Sequence, residues 1–225
     1  MDKFIELVKK ENIALNEEML DKFSVYYQEL LKANEHINLT AITEKEEVYL
    51  KHFYDSLCLL KATKEIHTLL DVGSGAGFPS IPVKIVDESV DITIVDSLQK
   101  RINFLKELTD KLNIRAELIH SRIEDFKLKN YFDVVTARAV SKLNVLVEYC
   151  LPFVKVGGVF VAMKGPNTLD EIKGSEKAIL LLGGKLKEVM TYETPYGDRT
   201  LIVIEKIKKV NGYPRTAAQI KNNPL

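Results

Sequence analysis

"LLDVGSGAGFPS", residues 69–80, decides how this chain is read. A short apolar run ends in Asp71, and Gly73, Gly75 and Gly77 follow at alternate positions. Glycines at this spacing let the backbone turn sharply and let a ligand come close to the main chain. A dinucleotide fingerprint would read G-x-G-x-x-G, but residue 78 is Phe, and Pro79 and Pro82 stand in the opening of the next helix. No Gly-Lys-Ser/Thr follows, which excludes a P-loop. A bare turn needs neither three glycines nor an acid two residues ahead of them, so a bound small molecule is the better reading.

Outward from this turn, strands and helices alternate. Strands are predicted at 67–72, 91–96, 115–120, 132–137, 159–164, 186–192 and 201–206, with helices at 81–86, 98–112, 143–153 and 169–182. Such alternation predicts a parallel sheet covered on both faces. Only "ETPYGDRT" separates the last two strands, too short for a helical crossover, so they should close the sheet as an antiparallel hairpin. Before the sheet, apolar stripes at helical spacing (Phe4, Leu7, Val8; then Leu20 to Leu31) predict helices, and a third is expected over 44–61, opened by a capping box of Thr43 and Glu46. The expected fold class is α/β: a Rossmann-like, mostly parallel seven-stranded sheet. The chain divides into an N-terminal helical extension (1–62), a sheet domain (63–208) and a basic C-terminal tail (209–225).

The 225 residues carry 32 Lys and Arg against 32 Asp and Glu, so net charge makes no case for a nucleic-acid partner. Its distribution does: after Glu205 come Lys206, Lys208, Lys209, Arg215 and Lys221 with no further acid, a tail that either approaches phosphate or is simply solvated. Cys58 and Cys150 stand alone among apolar residues, as small buried hydrophobes in a reducing compartment, and no Cys/His cluster suggests a metal. The N-terminus contains acids and fits no leader peptide, and no apolar run approaches the roughly 20 residues of a membrane span, so a cytoplasmic protein is expected.

The other site candidates end later strands. Asp96, in "ITIVDS", is placed to accept hydrogen bonds from both hydroxyls of a ribose and to repel a phosphorylated one; Ser97 beside it can cap the following helix. In "SRIEDF", Ile123 can pack on an adenine face with Glu124 or Asp125 at its amino edge. Arg138 ends the fourth strand on the side where ligands bind open α/β sheets; an ion pair is its structural alternative. Lys100, Arg101 and Lys164 are candidates for phosphate contacts, and His52 for a packing or lid residue. Glycine loop, ribose-binding acid, adenine pocket and terminal hairpin point to S-adenosyl-L-methionine, a nucleoside cofactor without phosphate, and to a class I methyltransferase fold. An NAD-dependent oxidoreductase and a non-catalytic binding scaffold fit less well.

With "HFYDSL", "ITIVDSLQKRINFLKEL", "FDVVTARAV", "LPFVKVGGVFVAMKG" and "DRTLIVIEK", the glycine stretch resembles the bacterial small-subunit ribosomal RNA methyltransferase G family, also called glucose-inhibited division protein B, over nearly the whole chain. The resemblance implies methyl transfer from S-adenosyl-L-methionine to N7 of a guanine, guanine 527 in the decoding-region loop of 16S ribosomal RNA, by a monomer acting on that RNA or the small subunit. It also implies that Gly73, Phe78, Ile123, Glu124 and Arg138 contact the cofactor. Ser80 occupies a position that is often glycine. The chemistry agrees independently. Guanine N7 carries an in-plane lone pair and no proton, so in-line positioning suffices, and "TARAVSK" offers neither an Asn/Asp-Pro-Pro turn for an exocyclic amine nor a cysteine nucleophile. Without the resemblance, the substrate is left open between this RNA, another RNA and a small molecule.

Overall fold

The computed structural model describes residues 1–63, 65–138 and 141–225; Ala139 and Val140 of the "FDVVTARAV" motif lie outside the described residues. Seven strands, β1 (Thr68–Val72), β2 (Asp91–Asp96), β3 (Glu117–His120), β4 (Phe132–Arg138), β5 (Val154–Lys164), β6 (Gly184–Thr194) and β7 (Gly197–Lys206), form one sheet in the order β3-β2-β1-β4-β5-β7-β6. β1 to β5 are mutually parallel, while β7 runs antiparallel to both β5 and β6. The hairpin is longer than the apolar pattern, because pairing continues through polar residues to Thr194 and Gly197.

Successive residues of each central strand serve opposite cores, as the two-residue period of a strand requires. Leu69, Val134, Val161 and Val203 face one layer, whereas Leu70, Val135, Ala162 and Ile202 face the other. The first layer holds the N-terminal helices α1 (Asp2–Lys10) and α2 (Glu17–Ile37) with α5 (Ser80–Val86) and α6 (Gln99–Leu112); the second is built on α7 (Leu143–Cys150). Cys58 belongs to the first core and Cys150 to the second, both as free thiols. Among the described residues, no helix is long and apolar enough to cross a membrane.

Three expected helices are modified. The segment 44–61 is α3 (Lys45–Glu47), a π-helical stretch Val48–Tyr54, α4 (Asp55–Leu57) and a 3-10 turn Cys58–Ala62. Its capping box does not form: Glu44 is the N-cap, with no side-chain bond, and the carbonyl of Thr43 accepts instead from the Tyr27 hydroxyl. The π-helical winding adds residues to each turn; Tyr49, Phe53 and Tyr54 are buried and His52 is half-buried beside them. The span 143–153 changes from α to 3-10 at Leu151, where Pro152 removes a backbone donor. The span 169–182 breaks at Gly174 and Ser175 into α8 (Leu169–Lys173) and α9 (Glu176–Leu181).

The tail is docked on the sheet domain rather than free. Lys206 is buried and donates to the Leu182 carbonyl at 2.7 Å. Arg215 grips fully buried Glu148 through Nε and Nη2, at 2.7 and 2.6 Å. A capping box of Thr216 and Gln219 starts α10 (Ala217–Asn222), whose Ile220 is buried.

Candidate active site

The glycine turn joins β1 to α5, and all three glycines have φ between +64° and +101°. They divide by role. A Cβ on Gly75 would meet nothing within 4 Å, so this residue faces open space. A Cβ on Gly77 would lie 2.7 Å from Ile81 Cγ1 and 2.9 Å from the Tyr26 hydroxyl oxygen, so Gly77 serves packing against α2 rather than the cavity. Tyr26 also donates to the Ala76 carbonyl at 2.6 Å and stacks on Phe78, so the N-terminal helices hold the turn in place.

Asp71 is fully buried below this turn. One carboxylate oxygen accepts from Ser80 N and Oγ, at 3.2 and 2.7 Å, and the other has no partner. Burial raises its pKa to about 7, against the lowering effect of the Ser80 bonds. At the end of β2, Asp96 Oδ2 accepts from Gly75 N and Oδ1 from Leu98 N, so it braces the glycine turn as well as the start of α6. Arg101 turns in to Asp96 at 3.2 Å.

Gly73, Ser74, Gly75, Phe78, Asp96, Ser97, Arg101 and Arg138 line one cavity of about 420 Å³, together with Thr40 and His52. A smaller one, about 210 Å³, shares Gly73 and Ser97 with it and adds Ile123, Glu124 and Tyr149. Together they accommodate a nucleoside bearing an amino-acid arm. The fit rests on three features: the open face of Gly75, the unpartnered Ser74 hydroxyl in the larger cavity, and the apolar–acidic pair Ile123 and Glu124 in the smaller.

Arg138 closes the larger cavity and opens another. Its Nη1 donates to Asp55 Oδ2 at 3.1 Å, and its guanidinium lies 4.8 Å from the Phe78 ring centre. Nη2 lies 3.4 Å from His52 Nδ1. Since arginine only donates, His52 Nδ1 accepts and Nε2–H donates to Thr40 Oγ1 at 2.8 Å. Burial, helped by the Arg138 cation, lowers the His52 pKa to about 3, so the ring is neutral at physiological pH. Asp55 is saturated: Oδ1 accepts from Tyr192 at 2.7 Å and Arg199 Nε at 3.0 Å, and Oδ2 from Arg199 Nη2 at 3.2 Å besides Arg138. His52, Asp55, Arg138 and Arg199 line the second cavity, about 310 Å³, with Lys51 and Tyr196 at its mouth and the Lys51 ammonium 4.2 Å from the Tyr196 ring centre.

The remaining candidates lie elsewhere. Lys100 is exposed on α6. Lys164 is held by the Ser141 carbonyl and Glu171, at 2.6 and 2.8 Å. Asp55, Arg199, Tyr192 and Tyr196 escaped the sequence reading. The signals were present: His52 and Asp55 are three apart, hence on one helical face, and Arg199 stands two residues before the apolar run Leu201–Ile204. Among the described residues, no group of three or more His, Cys, Asp or Glu is placed to hold a metal ion.

Sheet order, glycine turn and the acid ending β2 define the class: a class I, Rossmann-like S-adenosylmethionine-dependent methyltransferase fold. A solved structure described as a SAM dependent methyltransferase from Aquifex aeolicus shares it, with a TM-score of 0.55 at 18% identity over 78% of this chain and 97% of that one. Residues 19–202 match the family described as GidB, rRNA small subunit methyltransferase G, and the chain belongs to that family. Proteins named ribosomal RNA small subunit methyltransferase G are 48% identical in Lactobacillus helveticus, covering 100% of this chain and 98% of that protein, and 44% identical in Leuconostoc mesenteroides, covering 99% and 98%.

Proposed function

We propose that this chain transfers a methyl group from S-adenosyl-L-methionine to N7 of a guanine in 16S ribosomal RNA, guanine 527 by its family resemblance. The observation that carries this reading is the pair of cavities sharing His52 and Arg138 as a common wall. Bound on the glycine-turn side, the cofactor supplies an electrophilic methyl group, and the second cavity takes the acceptor base.

What lines that second cavity favours guanine. Every lone-pair direction of Asp55 is occupied, so it offers neither a base nor an acceptor to a ligand. Arg138 and Arg199 present donors that suit guanine O6, where adenine carries a donor amine, and a contact to O6 alone leaves the N7 lone pair free to take the methyl group. Tyr196, exposed at the hairpin tip, offers a stacking face for an unstacked base. His52, neutral and already hydrogen-bonded on both nitrogens, keeps its stack on Phe78 at 4.7 Å and orients Arg138. No proton has to leave N7, so catalysis is positioning, worth up to about 7–11 kcal/mol when the geometry is in line. Exposed Lys100 is the RNA-phosphate contact this arrangement favours; Lys164 and Arg101 are engaged within the protein.

The test is methyl transfer from labelled S-adenosyl-L-methionine to 16S ribosomal RNA and to the small subunit, with the product nucleoside identified and mapped. 7-Methylguanosine at one position is expected. A different methylated nucleoside, or label on no RNA, overturns the reading.

A further inference from the structure

The C-terminal segment 208–225 contacts the two stretches that carry lining residues of the smaller cavity, without lining it itself. Ile123 and Glu124 line it from the start of the connection that runs on to Tyr131, and Tyr149 lines it from α7. On the first stretch, beyond the cavity, Lys129 Nζ donates to the Tyr213 carbonyl at 2.6 Å. On the second, Glu148 adjoins Tyr149 in sequence and is gripped by Arg215, whose backbone N–H also donates to Oε1 at 3.1 Å. The segment is closed on itself and on α7 at its far end: Arg215 Nη2 donates to the Asn223 carbonyl at 3.0 Å, and Asn144 Nδ2 to the backbone oxygen of Leu225 at 3.2 Å. Tyr213 and Leu225 pack on the α7 core. Backbone bonds from Asn130 to Pro152 and from Tyr131 to Phe153 also join the walls, so the segment is a second fastening.

We propose that residues 208–225 are a strap that sets the spacing of the two walls of the adenine end of the cofactor site, which makes Arg215 and Glu148 positioning residues for cofactor binding. This rests on the reading that the smaller cavity takes adenine. A carboxylate as deeply buried as Glu148 is costly unless fully paired. Pairing it from a segment otherwise remote from the site ties the α7 rotation that aims Tyr149 to the presence of the strap. Arg215 is thereby assigned to the cofactor site rather than to RNA, whereas Lys208, Lys209 and Lys221 stay exposed.

The experiment measures adenosylhomocysteine affinity by calorimetry on the full chain, alongside KM for S-adenosyl-L-methionine and kcat on RNA. Arg215→Ala should weaken adenosylhomocysteine roughly tenfold, a typical reach for supporting residues. It should raise KM for S-adenosyl-L-methionine similarly while leaving kcat at saturating cofactor and RNA affinity unchanged, and Arg215→Lys should recover part of the loss. Should Arg215→Ala fail to fold, Asn144→Ala and Lys129→Ala loosen the strap with the Glu148 pair intact, and each should weaken the same ligand a few-fold. Tyr149→Ala separates the two readings. If it leaves affinity unchanged, the adenine assignment of the cavity fails. If it weakens binding while Arg215→Lys, Asn144→Ala and Lys129→Ala all bind like wild type, the strap fails and the assignment stands.

Discussion

Replacing Arg138 by Ala should be costly twice, once in stability and once in rate, and the structure sets the order of the stability effects. Arg138 contributes one charge-assisted hydrogen bond to Asp55, and its side chain is only 12% exposed. Losing such a bond costs about 1.5–3 kcal/mol, while stripping a buried charge of its whole partner costs about 3–5 kcal/mol. Asp55 keeps Arg199 and Tyr192 in the variant, so Arg138→Ala belongs near the lower figure, about 2 kcal/mol. A domain of this size loses about 2–4 °C of Tm per kcal/mol, which gives a fall of about 4–8 °C. Asp55→Ala leaves two guanidiniums without their shared anion and should cost more, about 3–5 kcal/mol. The double variant should be less destabilised than the sum of the two by about 1–3 kcal/mol. Urea and thermal melts supply these values. Single-turnover methyl transfer, at a temperature where every variant is folded, supplies the second cost: Arg138→Ala should be slowed well beyond its loss of folded protein, and Arg138→Lys should remain slow because it lacks the planar fork. Removing the cation should also raise the His52 pKa from about 3, visible in the imidazole NMR shifts. A wild-type Tm with strict additivity would remove the ion pair from the account, and a wild-type rate would remove Arg138 from the site.

Two buried groups make opposing contributions to acid stability. Asp71 holds its proton to about pH 7 in the folded chain against an ordinary value of 3.8, so its contribution falls as pH rises between those limits; His52, near 3 when folded against an ordinary 6.5, loses stability as pH falls through that window. Between about pH 4 and 6.5 the two offset, so Asp71→Asn should steepen acid destabilisation and His52→Gln should flatten it, measured by urea melts; parallel profiles would contradict the assignments. Gly75→Ala places its methyl in open space at φ +64°, so it should cost about 1–2 kcal/mol of backbone strain yet lower adenosylhomocysteine affinity at least tenfold; Gly77→Ala should mainly lower Tm, because its Cβ meets Ile81 and Tyr26. Lys100→Ala should reduce the log–log salt dependence of RNA binding by about 0.7–0.9, whereas Lys164→Ala should change it less. Equal slopes for the two variants would argue against the proposed RNA face.

What was legible in the sequence were features with a local cause. Apolar runs punctuated by glycine, proline and capping residues gave all seven strands, and the short "ETPYGDRT" connection gave the hairpin. Asp96 and the glycines could be placed because both sit where a strand ends, and strand ends of a parallel sheet converge on one edge. Features made by long-range pairing were not legible. Asp55, Arg138 and Arg199 lie on an N-terminal helix, β4 and β7, and nothing local in those segments says they meet. The same holds for Glu148 and Arg215, which read separately as a helix acid and a tail base. The irregular winding of 48–54 has no capping or proline signal, since it follows from bringing His52 and the aromatic cluster inward together. Gly77 shows the converse: its spacing matched a ligand loop, but its surroundings are those of a packing position.

The most direct test of the central claim replaces a single atom of the acceptor. Once the methylated guanine is mapped, an RNA is made with 7-deazaguanine at that position, which exchanges the N7 lone pair for a C–H and leaves O6 and the pairing edge in place. Single-turnover transfer from labelled S-adenosyl-L-methionine is then compared with the unmodified RNA, with RNA affinity measured in parallel. The account predicts RNA binding weakened by at most a few-fold and no label transferred to the modified base. Transfer to that base at the unmodified rate would contradict it.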